Sequence, residues 1–504
     1  MKPPNILFIF SDQHAQKVSG AYGDPIVRTP NIDRLAREGV RFDNAYCPSP
    51  ICVPSRMATL TARWPHRQEC WTNDDILRSD LPSWLHKAGA AGYDPVLIGR
   101  LHAIGPDQLH GYTSREVGDH SPNNAGAPRQ SMGVLSGAND PNRESLENSG
   151  PGKSAYQVKD EEVTAAAVQW LRENGSSRKA EGRPFCLTVG YMLPHPPYVV
   201  DPAAFEHYCG EVPNPKLGPE ELAGEWHAWW RDARSIDDVP NEDRQRARAA
   251  YWGLVHRLDE MIGEVLAALT EIGAMDDTLI VYASDHGDHL GERGLWWKHT
   301  FFEESVKVPL IMRLPGILPT NEARDHVVNL IDLSQTMIEA MGASELPNAD
   351  GRSFWGVARD AATPWKNETF SEYCTDPVPH WTSGRAVQQR MLRSGNWKLS
   401  IYDTEPPLLF DLDTDPEEKI NRADDPSCAD VLDRLQRRLT EDWTPQSIAE
   451  RMRERRIEKD ILAAWAREVQ PEGTHVWRFV PDINRLDTRP LETEGQTING
   501  RKTR

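Results

Sequence analysis

The chain has 504 residues, more than one ordinary domain, and its 57 Lys plus Arg against 76 Asp plus Glu leave a formal charge of −19. That balance repels nucleic acid and anionic membranes at long range, so neither is an expected partner, although one small cationic pocket could still hold a single anion. With 38% hydrophobic and 26% charged residues the composition is globular, and the chain shows neither a fixed-period repeat nor a low-complexity tract.

The first apolar run, residues 6–10, is too short for a membrane helix and has neither a charged flank nor a small-residue cleavage site. Seven scattered cysteines, an odd number, do not form a disulfide framework. A soluble, cytoplasmic protein is therefore expected.

Four short apolar runs end abruptly in polar residues. Residues 6–10 lead into Ser11-Asp12-Gln13-His14, 95–99 into Arg100-Leu101-His102, 185–193 into Pro194-His195-Pro196, and 278–282 into Ala283-Ser284-Asp285-His286-Gly287. Runs apolar along their whole length suit strands buried on both faces, as in a parallel sheet. Helical patterns lie between them at 29–36, 161–171 and 244–272; in the last, Leu254, Leu258, Ile262, Val265 and Leu269 recur at spacings of three and four. The alternation predicts an α/β fold, in which ligands bind beyond the carboxyl ends of the strands. The polar ends of the four runs then converge on one site.

Residues 113–152 are rich in Gly, Asn, Ser and Pro and contain no Phe, Tyr or Trp, which predicts a long loop or lid. Residues 212–238 are a second loop, whose Trp226, Trp229 and Trp230 either line a pocket or pack in the core. Alternating patterns at 389–392, 397–402 and 408–412 predict a small antiparallel sheet, with 430–439 as its packing helix. The expected organisation is a large α/β unit over 1–365, a smaller α+β unit over 366–445, and a charged helical extension over 446–504. That extension, with Val476-Trp477-Arg478-Phe479 near its end, is a candidate for covering another subunit in a homo-oligomer.

The chemistry concentrates in Cys52-Val53-Pro54-Ser55-Arg56. A guanidinium four residues after a nucleophile can neutralise an oxyanion beside it, whereas a lone buried Cys is otherwise a small hydrophobe. Asp12-Gln13 and Asp285-His286, each at a predicted strand end, are oxygen-rich ligands for a hard divalent cation, or else caps for the elements that follow. Oxygen ligands favour Ca²⁺; coordination by His286 shifts the balance toward Mn²⁺.

Taken in order, Asn5 to Gln13, the Cys52 motif, Arg100-Leu101-His102, Pro194-His195-Pro196-Pro197-Tyr198, Asp285-His286-Gly287 and Lys298-His299-Thr300 resemble the formylglycine sulfatases of the alkaline phosphatase superfamily, over most of residues 1–440. The resemblance implies an alkaline phosphatase-like α/β/α sandwich with a mostly parallel sheet and a smaller C-terminal antiparallel sheet. It implies that Cys52 is converted to 3-oxoalanine (formylglycine) by a formylglycine-generating enzyme, and that Asp12, Gln13, Asp285, His286 and modified Cys52 hold one divalent cation. Arg56 and Lys298 would bind the sulfate and the nucleophile; Lys298 or His195 would protonate the leaving oxygen and His102 would take a proton from the nucleophile. Arg100 would bind substrate, with a hydrogen bond added by Asn73.

Two departures stand out. Many sulfatases carry Asp-Asp and Asp-Asn where this chain has Asp12-Gln13 and Asp285-His286, and the variant resembles the choline-sulfatase and phosphonate monoester hydrolase branches. Arg100 stands where the family often has Lys, which keeps the charge but cannot release a proton. The expected activity is hydrolysis of a small aryl, alkyl or sugar sulfate ester. A phosphonate monoester or phosphodiester hydrolase and a non-catalytic anion binder with unmodified Cys52 are the alternatives. Residues 113–152 offer no aromatic cage, which argues against choline as the alcohol.

Overall fold

A computed structural model describes residues 3–221, 224–376, 386–402 and 405–487, and the backbone of 492–493 and 496–497. Its strands up to the middle of the chain are β1 (Asn5–Asp12), β2 (Val40–Tyr46), β3 (Pro95–Gly99), β4 (Ser114–Glu116), β5 (Gly150–Lys153), β6 (Cys186–Pro194) and β7 (Val199–Val200). There follow β8 (Thr278–Ser284), β9 (Leu310–Arg313), β10 (Glu322–Asn329), β11 (Glu368–Thr375), β12 (Val387–Ser394), β13 (Trp397–Tyr402), β14 (Glu405–Asp411) and β15 (Arg485–Leu486).

The principal sheet has eight strands in the order β10-β2-β9-β8-β1-β6-β3-β4, and only β9 runs against the rest. Its central strands are apolar throughout because both faces are covered. On β1, Ile6, Phe8 and Phe10 point into one core and Leu7 and Ile9 into the other; on β8, Leu279, Val281 and Ala283 oppose Ile280 and Tyr282 in the same way. Helices Cys52–Thr61 and Leu330–Ala340 cover the first face, and helices Ala155–Trp170 and Asn241–Glu271 the second. The result is an α/β/α sandwich.

Register brings the polar strand ends together. Ser11 pairs with Ser284 across β1 and β8, Asp12 with Pro194 across β1 and β6, and Gly99 with Gly190 across β3 and β6. At Gly99, φ is +96° and a Cβ would lie 2.2 Å from the Gly190 carbonyl oxygen, so only glycine lets β3 approach β6 and deliver Arg100 to the same edge. The four predicted runs are therefore four adjacent strands ending at one place.

The smaller sheet, β11-β12-β13-β14, is antiparallel, with helix Ala429–Leu439 against it. Sequence alternation recovers β12 to β14 and misses β11. No helix was expected over the cysteine motif, yet Cys52–Thr61 is one. The extension from 446 is helical only to Val469. Gln470 is left-handed, and Pro471 and Gly473 follow, residues that end helices. Residues 475–487 then return over the 113–152 loop of the same chain: β15 pairs with β5, and Val476 bridges Asp119. The part of the extension past 487 lies outside the described side chains. Among the described residues no helix is long and apolar enough to cross a membrane.

Candidate active site

Cys52 opens its helix with Ile51 as cap, so its thiol sits at the positive end of the helix dipole. Asn73 Oδ1 accepts from Val53 N at 2.9 Å, satisfying one of the donors that a helix start leaves open. Around the thiol, Lys298 Nζ lies 3.0 Å from Sγ, His286 Nε2 3.3 Å and Asp12 Oδ1 3.7 Å. One turn along, Arg56 donates from Nε to Asp285 Oδ2 at 2.8 Å and from one terminal nitrogen to Asp12 Oδ2 at 3.2 Å and Ser11 O at 3.0 Å. The spacing from Cys52 to Arg56 thus places charge directly behind the thiol.

Arg100 Nε also donates to Asp12 Oδ2. Burial pushes the Asp12 carboxyl up, but Arg100 and Arg56 outweigh it and hold it well below the ordinary carboxylate range. Both guanidinium groups take Oδ2, which leaves Oδ1 directed at Cys52 and His286. Asp285 is divided likewise: Oδ2 faces Arg56, and Oδ1 accepts from Gln13 N at 3.0 Å. Gln13 is left-handed, φ +65°, and its amide orientation is set by Asp288, whose Oδ2 accepts Gln13 Nε2 at 2.7 Å and Tyr198 Oη at 2.7 Å. Gln13 Oε1 is thereby turned to Lys298 Nζ, 2.9 Å away. Burial lowers His286 to about 4, so its ring is neutral, and Nδ1 donates to the Gly287 carbonyl while Nε2 keeps its lone pair.

Asp12, Cys52, Asp285 and His286 each offer a ligand atom within 4.8 Å of the others, all buried. Adding Gln13 Oε1, the set is three oxygens, one imidazole nitrogen and the position of Cys52. Lone pairs converging on a point already visited by the Lys298 ammonium fit a divalent cation.

Above this floor opens a cavity of about 270 Å³. His102 and His195 line it beside Arg100 and Lys298. Burial, then Arg100, holds His102 well below the usual imidazole range; burial, then Lys298, lowers His195. The outer wall is residues 120–141 of the predicted loop, together with Tyr156 and Trp297. Tyr156 Oη lies 2.8 Å from His120 Nε2. Trp226, Trp229 and Trp230 are not in this wall: Trp226 and Trp230 are fully buried, and Trp230 lies against His299 with ring centroids 4.5 Å apart. The expected 212–238 loop contains a helix, Glu225–Ala233, which buries Trp226 and Trp230, with Trp226 against Tyr373 at 6.0 Å between ring centroids.

All eleven residues singled out in the sequence meet here. Asp288, Asp119, Tyr156 and Trp297 were missed, and Tyr198 was quoted in its motif without a role. Asp288 directly follows Asp285-His286-Gly287, and that adjacency is its one sequence signal; Tyr156 and Trp297 carry no local signal, since helix and loop positions far apart supply them.

Buried strand-end carboxylates, a thiol at a helix start and a cationic cavity define a hydrolase of anionic esters on an alkaline phosphatase-like α/β/α scaffold. The sequence model of the family described as Sulfatase matches residues 4–343, and that of the N-sulphoglucosamine sulphohydrolase C-terminal region matches 291–444. A choline-sulfatase of Rhizobium meliloti (strain 1021) is 34% identical over 441 residues, 84% of this chain and 83% of that one. Arylsulfatase K of Danio rerio is 28% identical over 464 residues, covering 87% and 84%. The crystal structure of a phosphonate monoester hydrolase of Agrobacterium radiobacter superposes with a TM-score of 0.69 at 23% identity, over 90% of this chain and 96% of the other. The chain belongs to the sulfatase family and is a sulfuric ester hydrolase. The family implies a divalent cation and a formylglycine.

Proposed function

We propose that this sulfatase hydrolyses a small sulfate monoester through Cys52 matured to formylglycine, with one divalent cation held by Asp12, Gln13, Asp285, His286 and the matured residue. The observation that carries the reading is Cys52 at a helix start, in contact with Lys298 and His286, with Arg56 paired to both site carboxylates. The oxygen-rich set supports Ca²⁺, and Mn²⁺ is the outcome that the His286 imidazole would favour. When in place, the cation and the hydrated aldehyde supply an acidified hydroxyl as nucleophile.

The side chains then divide the work. Arg56 orients Asp12 and Asp285, and with Arg100 it keeps Asp12 ionised. Arg100 and Lys298 present cationic groups to the sulfuryl oxygens, where charge accumulates as the ester bond breaks. Lys298 gives a proton to the departing alkoxide. His195 donates from Nδ1 to the Pro196 carbonyl at 2.7 Å, which leaves Nε2 as an acceptor, and its ring interacts with Cys52. It is therefore placed to take the nucleophile's proton. Loss of a proton from the residue's second hydroxyl would then expel sulfate and restore the aldehyde, which water would rehydrate, so the balance is one ester and one water giving one alcohol and hydrogen sulfate.

A cavity of about 270 Å³ suits a small alcohol or phenol. The objection to choline weakens, because Tyr156 and Trp297 bring aromatic faces that the loop itself lacks. The six cysteines other than Cys52 are free thiols, in keeping with a reducing, cytoplasmic setting. Ile457, Ile461, Trp465 and Val469, 68%, 65%, 44% and 56% exposed along one helix, support a homo-oligomer.

The test compares turnover of an aryl sulfate, choline sulfate, a phosphonate monoester and a phosphodiester by matured protein, with maturation read by intact mass. Sulfate turnover that falls by about 10⁴-fold or more in Cys52→Ala supports the proposal. Faster phosphonate or phosphodiester turnover would reassign the substrate, and matured protein indifferent to Cys52→Ala would remove the nucleophile.

A further inference from the structure

The C-terminal extension reaches the surroundings of the site at two places. Residues 475–477 bind Asp119, whose Oδ2 accepts His102 N at 2.7 Å. The second place lies upstream, on helix Pro445–Val469. Arg451 and Arg455 of that helix bind Glu69, Arg456 lies 3.4 Å from Asp376, and Lys459 comes last. Lys459 Nζ lies 3.0 Å from Asp75 Oδ1, 3.2 Å from Thr72 Oγ1 and 3.3 Å from Asp376 Oδ2. An ammonium has three donors and no acceptor, so these three oxygens use it fully. Thr72, Asp75 and Asp376 are buried, and the Lys459 side chain is only 14% exposed. Burial pushes the ammonium down, but Asp75 and Asp376 outweigh it and raise it above the ordinary lysine value, so it stays charged.

Residues 71–75 form a turn closed by one carboxylate oxygen. Asp75 Oδ2 accepts Trp71 N and Thr72 N, both at 2.8 Å, and Thr72 Oγ1 at 3.1 Å. Asn73 stands in the middle of this turn. The helix that Cys52 opens depends on it, because its own cap, Ile51, has no side-chain oxygen to offer. Asn73 Oδ1 supplies that cap from outside, on Val53 N, and Asn73 also lines the cavity. The place of the cap therefore depends on Asp75, which divides its two oxygens between the turn and Lys459.

We propose that Lys459 is a positioning residue for the nucleophile: from the C-terminal helix it pairs with Asp75 and Thr72 and fixes the turn that brings Asn73 to the start of the Cys52 helix. The inference rests on the proposed role of Cys52. Removing the ammonium strips a buried carboxylate of this cation, which draws Asp75 toward water and opens the turn. A Lys459 that only fastened its own helix to the domain would leave Asn73 in place.

The deciding experiment is a double-mutant cycle between Lys459→Met and Asn73→Ala, read as kcat/KM for an aryl sulfate with matured protein. The expected losses are about tenfold for Lys459→Met and about 10²-fold for Asn73→Ala, with no more than about twofold further loss when the two are combined. Losses that multiply in the double variant, or wild-type activity in Lys459→Met, overturn the proposal. Arg451→Met removes a contact of the same helix with Glu69 alone and should stay within about twofold of wild type. A tenfold loss there would mean general loosening of the helix and would also overturn it. Hydrogen exchange reads the contact without turnover: the Val53 amide should exchange about tenfold faster in both Lys459→Met and Asn73→Ala. Faster exchange along 445–469 with Val53 still protected overturns the inference. Should Lys459→Met not fold, Lys459→Gln, which keeps two donors without the charge, replaces it in both measurements. If matured wild type hydrolyses no sulfate ester, the proposed function falls, and exchange at Val53 still decides whether Lys459 holds the turn.

Discussion

On the cavity floor, Asp12, Gln13, Asp285 and His286 lie within two residues of strand ends in the middle of an eight-stranded sheet, and nearly every oxygen and nitrogen has a short-range partner. On the wall, residues 120–141 have no sheet to anchor them. Gln130 Nε2 instead donates to Trp477 O at 2.8 Å, Phe479 N to Gln130 Oε1 at 3.2 Å, and Trp477 Nε1 to Glu162 Oε2 at 2.6 Å. The floor is preorganised by a scaffold whose opening would unfold the domain; the wall is held by a strap whose release would cost only local contacts. The candidate catalytic residues and the cavity wall are thus placed on parts of different stability.

That contrast can be broken at four points, and the effects should shrink from floor to wall. Stripping divalent ions with a chelator should abolish turnover to within assay background, by about 10³-fold or more, and titrating back Ca²⁺ and Mn²⁺ separately should identify the ion by recovered activity. A chelator-resistant enzyme would contradict the cation site. Asp288→Asn presents an amide to Gln13 Nε2 and Tyr198, releasing the amide orientation of Gln13, and should weaken metal affinity about 10–100-fold by calorimetry. Unchanged affinity would show that Gln13 Oε1 is not a ligand.

Arg100→Lys keeps the charge but cannot bind Asp12 and His102 at once, so kcat/KM should fall about tenfold. A loss confined to KM would mean that Arg100 only attracts the anion. Trp477→Ala loosens the strap alone: KM should rise a few-fold with kcat within about twofold, and protease cleavage within 120–141 should accelerate. An equal fall in kcat would place the strap's influence on the floor as well, through Asp119.

The floor was legible because its residues come in short, chemically marked runs. Asp12-Gln13, Arg100-Leu101-His102 and Asp285-His286 each follow an unbroken apolar strand, and burial on both faces makes such strands conspicuous. Cys52-Val53-Pro54-Ser55-Arg56 was equally plain, though not the helix that aims it. The wall was illegible for the converse reason. Residues 113–152 lack periodicity, and some of their backbone partners, at Asp119 and along β5, lie more than 300 residues away in a segment expected to stay helical. The tryptophans at 226–230 misled because an aromatic cluster looks the same whether it lines a pocket or fills a core.

Composition and strand periodicity by themselves determined the α/β class and the convergence of the strand ends, since residue types and local spacing suffice for these; the sulfate-directed chemistry came from the resemblance of the ordered motifs to the sulfatases. Tertiary structure alone decided that Asp288 turns the amide of Gln13, that Arg100 joins Asp12 to His102, and that residues 475–479 hold the cavity wall. Each of these depends on which atom of one side chain meets which atom of another across the fold, and no spacing along the chain encodes that distance.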